Sequence, residues 1–264
     1  MINLKSIELR EIGLKLKEPF RISSGVVEER RILLLKLTDR SGVTEWAECV
    51  AGENPNYSYE TIDTAALAIR SWLSSRVIGH PFEHPQDVHA VLDRNIAGHN
   101  MAKAAVEMGC WALFARLQGK ALSQVLGGTR TEVPTGISIG IQQNPQALVE
   151  RALRARADGY RKIKVKIQPG SDIDYVRAVR DALPEDTEMM ADANSAYSLS
   201  DAPHLQKLDG FHLLMIEQPL HRDDLVRHAR LQQRLKTPIC LRSRNFAATS
   251  AAWQSLCKKV GQAL

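Results

Sequence analysis

The sequence predicts an α+β domain followed by parallel strand–helix units, with a (β/α)8 barrel the leading architecture for the second part. Three observations carry this. Runs rich in Val, Ile and Leu at 2–16, 31–38 and 43–50 come first, the last two joined by the hairpin turn Asp39-Arg40-Ser41-Gly42. Segments of helical period then run to Gly127-Gly128. Beyond that pair, short apolar strands alternate with helices, and Lys164, Met190, Met215 and Ile239 lie 26, 25 and 24 residues apart. Strand–helix units at so regular a period indicate parallel construction. A doubly wound open sheet is the alternative, but no G-x-G-x-x-G follows a first strand and no G-x-x-x-x-G-K-[ST] loop is present.

Taken in order, the three strands surround a segment, Lys17 to Gly25, whose turn chemistry and lack of period read as a loop. Ser58 can cap a helix with Ile62, Ala65, Ile69, Trp72 and Leu73 at helical spacing. A second helix puts Met101, Ala104, Ala105, Met108, Trp111 and Ala115 on one stripe and ends near Gly119. Met and Trp in such a stripe read as core, not as a cofactor contact. After residue 128 the strands fall at Val133–Gly140, Lys162–Ile167, Glu188–Ala191, Leu213–Ile216 and Pro238–Leu241, with helices at Pro145–Asp158, Ile173–Ala182 and Asp224–Leu235.

Composition narrows the function classes. With 44% hydrophobic and 25% charged residues over 264 positions, the chain has the make-up of a globular protein with ample core. No apolar run approaches a membrane span, and the early charges of Met1–Glu8 argue against a signal peptide. Cys49, Cys110, Cys240 and Cys257 have neither metal nor disulfide spacing, so a reduced, cytoplasmic compartment is expected. The net charge of +5 comes from one end. Four of the 35 basic residues and none of the 30 acidic ones lie in 242–264, which leaves the rest nearly neutral and without a basic body for nucleic acid.

The chemistry centres on Lys162-Ile163-Lys164-Val165-Lys166-Ile167. On a strand the three lysines share one face and the three apolar residues the other. Read alone, this is a surface edge strand with protective lysines. Read with the two strands downstream, it is a base strand, and mutual repulsion with desolvation is expected to lower the lysine pKa values. Asp192 ends the next strand and Glu217 the one after. Strand C-terminal ends carry the chemistry of barrels, and neighbouring strands about 4.8 Å apart let both carboxylates converge on one cation. Oxygen donors favour Mg²⁺, or Mn²⁺, over zinc. Local roles are the alternative: Asp192 capping a turn with Asn194, and Glu217 paired with a lysine.

Lys164-Val165-Lys166, Asp192-Ala193-Asn194 and Glu217-Gln218-Pro219, in this order and at these spacings, resemble the enolase superfamily and within it the muconate-lactonising branch. The chain is most similar to o-succinylbenzoate synthases and N-acylamino acid racemases, and less so to dipeptide epimerases and muconate cycloisomerases. Pro19-Phe20-Arg21, Ala47–Val50, Ala104–Met108, Gly136–Gly140 and Thr237–Leu241 also match. The resemblance implies a capping domain at 1–125 and a partial (β/α)8 TIM-type barrel at 126–241, with about five of eight strands present. It implies Mg²⁺-dependent removal of a proton α to the carboxylate of a small-molecule substrate, and homo-oligomers among full-length relatives. It assigns Lys166 as base, Lys164 as its electrostatic partner, Asp192 and Glu217 as metal ligands, and Ser138, Asn194 and Phe20 as substrate contacts.

The pattern breaks after Leu241. The family continues with an acidic pair whose first residue is the third metal ligand, and this chain has Arg242-Ser243-Arg244. Residues 242–264 are therefore expected to be a non-family tail, read out of frame, on a truncated and inactive product.

Overall fold

The computed structural model describes residues 1–22, 25–56 and 58–241. The chain divides into two compact units, one of Met1–Pro19 with Val27–Glu132, the other of Phe20–Val26 with the residues from Val133 on.

β1 (Ile2–Ile22), β2 (Gly25–Asp39) and β3 (Thr44–Cys49) form an antiparallel sheet with the short β4 (Pro81–Phe82), in the order β3-β2-β1-β4. This sheet belongs to the first unit apart from its residues within Phe20–Val26. Alternation explains its buried face: Leu33, Leu35 and Leu37 face the core at every second position of β2. The loop expected at 17–25 is corrected, because strand runs to Ile22 and resumes at Gly25. β1 pairs with β4 only at Ile2 and Asn3, so Pro19 lies in an edge strand, where proline is tolerated.

Helices α1 (Ile62–Ala68), α2 (Ser74–Val77), α3 (Gln86–Asp93), α4 (Asn100–Leu117) and α5 (Leu122–Val125) complete this unit, with a π-helical turn, Ile69–Leu73, between the first two. The cap of α1 is Thr61, in a capping box with Thr64; Ser58 instead accepts from the Glu60 N–H, 3.3 Å away, in a local turn. The stripe of α4 is also corrected. Ala105 and Ala115 of the expected stripe are buried, but with Ala102, Lys103, Val106, Gly109, Cys110 and Leu113, and Met108 is exposed. Glycine at 109 decides the phase, since a side chain there would meet Leu37 of β2.

In the second unit five strands, β5 (Gly136–Ile139), β6 (Lys162–Lys166), β7 (Glu188–Asp192), β8 (Ile216–Glu217) and β9 (Ile239–Cys240), form one parallel sheet in sequence order. A doubly wound sheet would reverse its order at a switch point; this one does not, as in a barrel wall. Helices α6 (Pro145–Ala157), α7 (Ile173–Ala182), α8 (Ala202–Leu205) and α9 (Leu225–Gln232) lie in the connections. Ile163, Val165, Met189, Ala191 and Ile216 pack with Leu148, Val176, Val179 and Leu231 of the helices in one core. That places the helices on one face of the sheet and leaves the lysines on the other. The tail expected at 242–264, with Arg242, lies outside the described residues. No helix among them is long and apolar enough to cross a membrane.

Candidate active site

Strand register assembles the site. Lys166, Asp192, Glu217 and Cys240 stand opposite one another on four consecutive strands, and Ser138, Lys164 and Met190 form a second row. Residues two apart share a face, so Ser138, Lys164, Lys166, Asp192 and Glu217 all project from the face opposite the helix-packed core.

Five of the expected residues meet directly. Lys164 Nζ donates to Glu217 Oε2 at 2.9 Å and lies 3.3 Å from Asp192 Oδ2. Lys166 Nζ donates to Asp192 Oδ2 and, at 2.9 Å, to Asn194 Oδ1. The Asn194 N–H donates to Asp192 Oδ1 at 3.1 Å. Asp192 is fully buried, and Lys166 and Glu217 nearly so. Both local roles considered for the carboxylates are therefore realised: Asp192 holds the turn to Asn194, and Glu217 pairs with a lysine. Ser138 Oγ is buried with no hydrogen-bond partner among the described residues. Phe20 stands at Gly140, just past β5, where the Ile141 N–H donates to Arg21 O at 3.0 Å. A side chain at Gly140 would meet that Arg21 backbone.

The electrostatics correct one expectation. The lysines do not face one another alone: Lys162 and Lys166 stand opposite Glu188 and Asp192 in the register, Lys162 lying 3.4 Å from Glu188, and Lys164, opposite Met190, reaches Glu217 and Asp192 with its ammonium. Burial pulls the Lys164 pKa down, but the Glu217 hydrogen bond and the fields of Asp192 and Glu217 outweigh it and hold the value above the ordinary 10.5. Burial likewise pushes Asp192 up, while the Lys166 hydrogen bond and the two ammonium charges hold it below 3.8. His228 is moved down from 6.5, chiefly by burial.

These directions give a pH profile of stability. A raised lysine stabilises below its ordinary value and ceases to as pH rises past its folded one; a depressed carboxylate stabilises above 3.8 and is lost as pH falls through its folded one. A depressed histidine costs stability as pH falls below 6.5. Urea unfolding across pH is expected to show a plateau above neutrality, a first acid loss from 6.5, a second below 3.8 and an alkaline loss above 10.5. A profile flat between about 7 and 4 on the acid side, with the first loss missing, would remove His228 from this account.

Residues 5–127 match the model of the mandelate racemase/muconate lactonizing enzyme N-terminal domain, and residues 147–253 match an enolase C-terminal domain-like model. The chain belongs to the enolase superfamily. An o-succinylbenzoate synthase of Geobacillus kaustophilus is 47% identical over 243 residues, covering 91% of this chain and 64% of the relative. An N-succinylamino acid racemase of Amycolatopsis sp. is 38% identical, covering 95% and 68%. The crystal structure of an enolase superfamily member from Listeria innocua superposes with a TM-score of 0.91 at 34% identity, over 99% of this chain and 69% of that one. The chain thus spans about two thirds of these superfamily relatives, 64% of the first. The superfamily match continues to residue 253, past Leu241, where the motif resemblance ends.

Enzymes of this family depend on a divalent metal. Asp192 and Glu217 fit such an ion in kind: two hard oxygen donors in register on adjacent strands. In number they fall short, since no group of three or more His, Cys, Asp or Glu residues among those described can hold a metal.

Gln218 stood in the motif Glu217-Gln218-Pro219 without a role of its own, and the motifs did not point to His228. Gln218 has a left-handed backbone (φ 46°), as have Asn194 (46°) and Ser195 (65°). Non-glycine residues rarely adopt this region, and three of them gather around the lysine–carboxylate group. The signal in the sequence was present but weak: a polar residue within two positions of each strand-ending carboxylate, Asn194 after Asp192 and Gln218 after Glu217.

Proposed function

We propose that this chain carries the proton-transfer machinery of an enzyme that removes a proton α to a carboxylate, with o-succinylbenzoate synthesis by dehydration as the leading reaction. One observation carries the reading: Lys164 and Lys166 project side by side onto Asp192 and Glu217 in one register row and its neighbour. Lys166 is the base. Its Nζ is held by Asp192 and Asn194, so the atom that takes the proton has a fixed position. Lys164 stays cationic and lowers, through its field, the energy of the negative charge that develops on the substrate. Ser138, on the same face, has a hydroxyl free to orient the substrate, and Phe20 supplies an apolar contact. Asp192 and Glu217 would hold Mg²⁺, with Mn²⁺ as substitute. Such an ion, when bound, supplies positive charge that makes the α-proton acidic enough to remove.

The racemase reading stands second. It is favoured by an identity to the Amycolatopsis N-succinylamino acid racemase that is not far below that to the synthases.

Arg242 occupies the position of the third carboxylate ligand in the family pattern, so this chain by itself is expected to show no measurable turnover. Titration calorimetry with Mg²⁺ tests the metal assignment. Saturable heat that Glu217→Gln removes supports the two-carboxylate assignment, and no heat at millimolar Mg²⁺ sinks it. Turnover to o-succinylbenzoate that Lys166→Ala abolishes would support the base assignment and overturn the inactivity. Exchange of the α-proton of an N-succinylamino acid with solvent deuterium, without o-succinylbenzoate formation, would move the assignment to the racemase.

A further inference from the structure

His228 lies on α9, is 2% exposed, and touches neither carboxylate pair nor lysine. Its hydrogen bonds nevertheless fix its protonation. Nδ1 lies 2.6 Å from the Asp224 carbonyl, an acceptor only, so Nδ1 carries the proton and donates. Nε2 then has a lone pair, and two donors use it: the Leu220 N–H at 3.1 Å and the Gln218 side-chain amide at 3.3 Å. The same amide also donates to Leu220 O at 3.0 Å. One neutral imidazole thus closes the turn Gln218-Pro219-Leu220, directly after Glu217.

That turn reaches the lysines by a short path. Gln218 is left-handed, and in that conformation its carbonyl accepts the Ser195 N–H at 2.8 Å, while Pro219 O accepts the Tyr197 N–H at 3.0 Å. Ser195 and Asn194 are left-handed in turn. Asn194 Oδ1 is the acceptor for Lys166 Nζ. A side chain in αL is held there by its surroundings, since the region costs a non-glycine residue free energy. The surroundings here include the bonds just named, with the Gln218 N–H to Cys240 O at 2.8 Å and the Asn194 N–H to Asp192 Oδ1 at 3.1 Å, and His228 Nε2 stands at the far end of the path.

We infer that His228 is a positioning residue for Lys166: by receiving the Leu220 N–H it holds Gln218 left-handed, and through Ser195 and Asn194 it fixes the Lys166 ammonium. This deepens the proposed function and rests on Lys166 being the base, but its test reads the position of Lys166 without any turnover.

The experiment labels surface and buried lysines of the full chain with a small acylating reagent and reads each site by mass spectrometry. His228→Leu removes the acceptor at similar volume; His228→Gln restores an acceptor near the Nε2 position. Lys166 is expected to react about fivefold faster in His228→Leu, the factor that one lost hydrogen bond is worth. Lys103, fully buried in the other unit and bonded to Asp93 and Ile96 O, is the control for general loosening. Labelling of Lys166 in His228→Gln is expected to return toward the parent rate. An unchanged Lys166 rate in His228→Leu, an equal rise at Lys103, or no recovery in His228→Gln overturns the inference. Should His228→Leu not fold, the parent protein decides: its ¹⁵N spectrum at neutral pH must show His228 protonated at Nδ1 and bare at Nε2, and the opposite tautomer or an imidazolium overturns it. Failure of Mg²⁺ binding would count against the proposed function and leave these readings untouched.

Discussion

Replacing Asp192 by alanine is expected to lower the unfolding free energy by about 3–5 kcal/mol, because it takes the carboxylate away from a buried ammonium. Asp192 is fully buried and accepts from Lys166, from the Asn194 N–H and, at 3.3 Å, from Lys164. Lys164 keeps Glu217 after the substitution. Lys166 keeps the Asn194 amide oxygen, which is a dipole and not a full charge. Its side chain is 7% exposed, so water cannot replace the lost carboxylate without the site opening. The cost is that of a buried charge stripped of its counter-charge, not the worth of the pair. Asp192→Ala combined with Lys166→Met should therefore recover most of the loss, since the double change leaves no buried ion at this position. Denaturant unfolding of the three variants measures this. If the single variant loses less than about 1 kcal/mol, Lys166 is not held by Asp192 in solution, and the geometry of the lysine–carboxylate group falls with it.

The lysine–carboxylate group was legible in the sequence because strand geometry is simple. A period of two placed Lys164 and Lys166 on one face, and the 26- and 25-residue spacing brought Asp192 and Glu217 to the ends of the next strands. Neither inference required side-chain detail. The charge state of the lysines was not legible, because it depends on which carboxylates stand opposite them. Register decides that, and a pattern of residue types does not encode it: Lys162 meets Glu188, and Lys166 meets Asp192. The His228–Gln218 corner was hidden for a related reason. A buried histidine on an amphipathic helix looks like any other core residue until the turn it closes is known, and that turn comes from a different connection. In the first unit the long β1–β2 ribbon was missed through Pro19, which punctuates a central strand but is tolerated in an edge strand. The cap of α1 lies three residues beyond the expected one because Ser58 and Thr61 carry the same chemistry and each has a threonine three residues on, so the residue types alone do not choose between them.

The second large effect is expected in the first unit, at Gly109. A Cβ at this position would stand 2.4 Å from Leu37 Cδ1, 2.8 Å from Cδ2 and 3.2 Å from the Ala47 Cβ. Leu37 and Gly109 are both buried, so α4 lies on the sheet at a distance that only a glycine permits. Two contributions oppose each other in Gly109→Ala. A helix-interior alanine is favoured over glycine by roughly 1 kcal/mol, while overpacking costs about 1–3 kcal/mol. Leu37 can turn its methyls aside in part, so the alanine variant should lose only a little. Gly109→Val adds two methyls and branching at Cβ, which leaves Leu37 nowhere to go and puts the second Cγ toward Ala47. That variant is expected to lose about 3 kcal/mol or more, seen as a fall in Tm and in the denaturant midpoint. Shortening the opposing side chain separates steric crowding from a general defect of the helix. In a Leu37→Ala background Gly109→Val should cost clearly less than in the parent, a non-additivity of about 1 kcal/mol or more between residues in contact. Strict additivity would mean that α4 and β2 do not meet at this pair, and the phase of α4, with its buried Ala102, Ala105, Val106 and Cys110, would need to turn toward the exposed Met108.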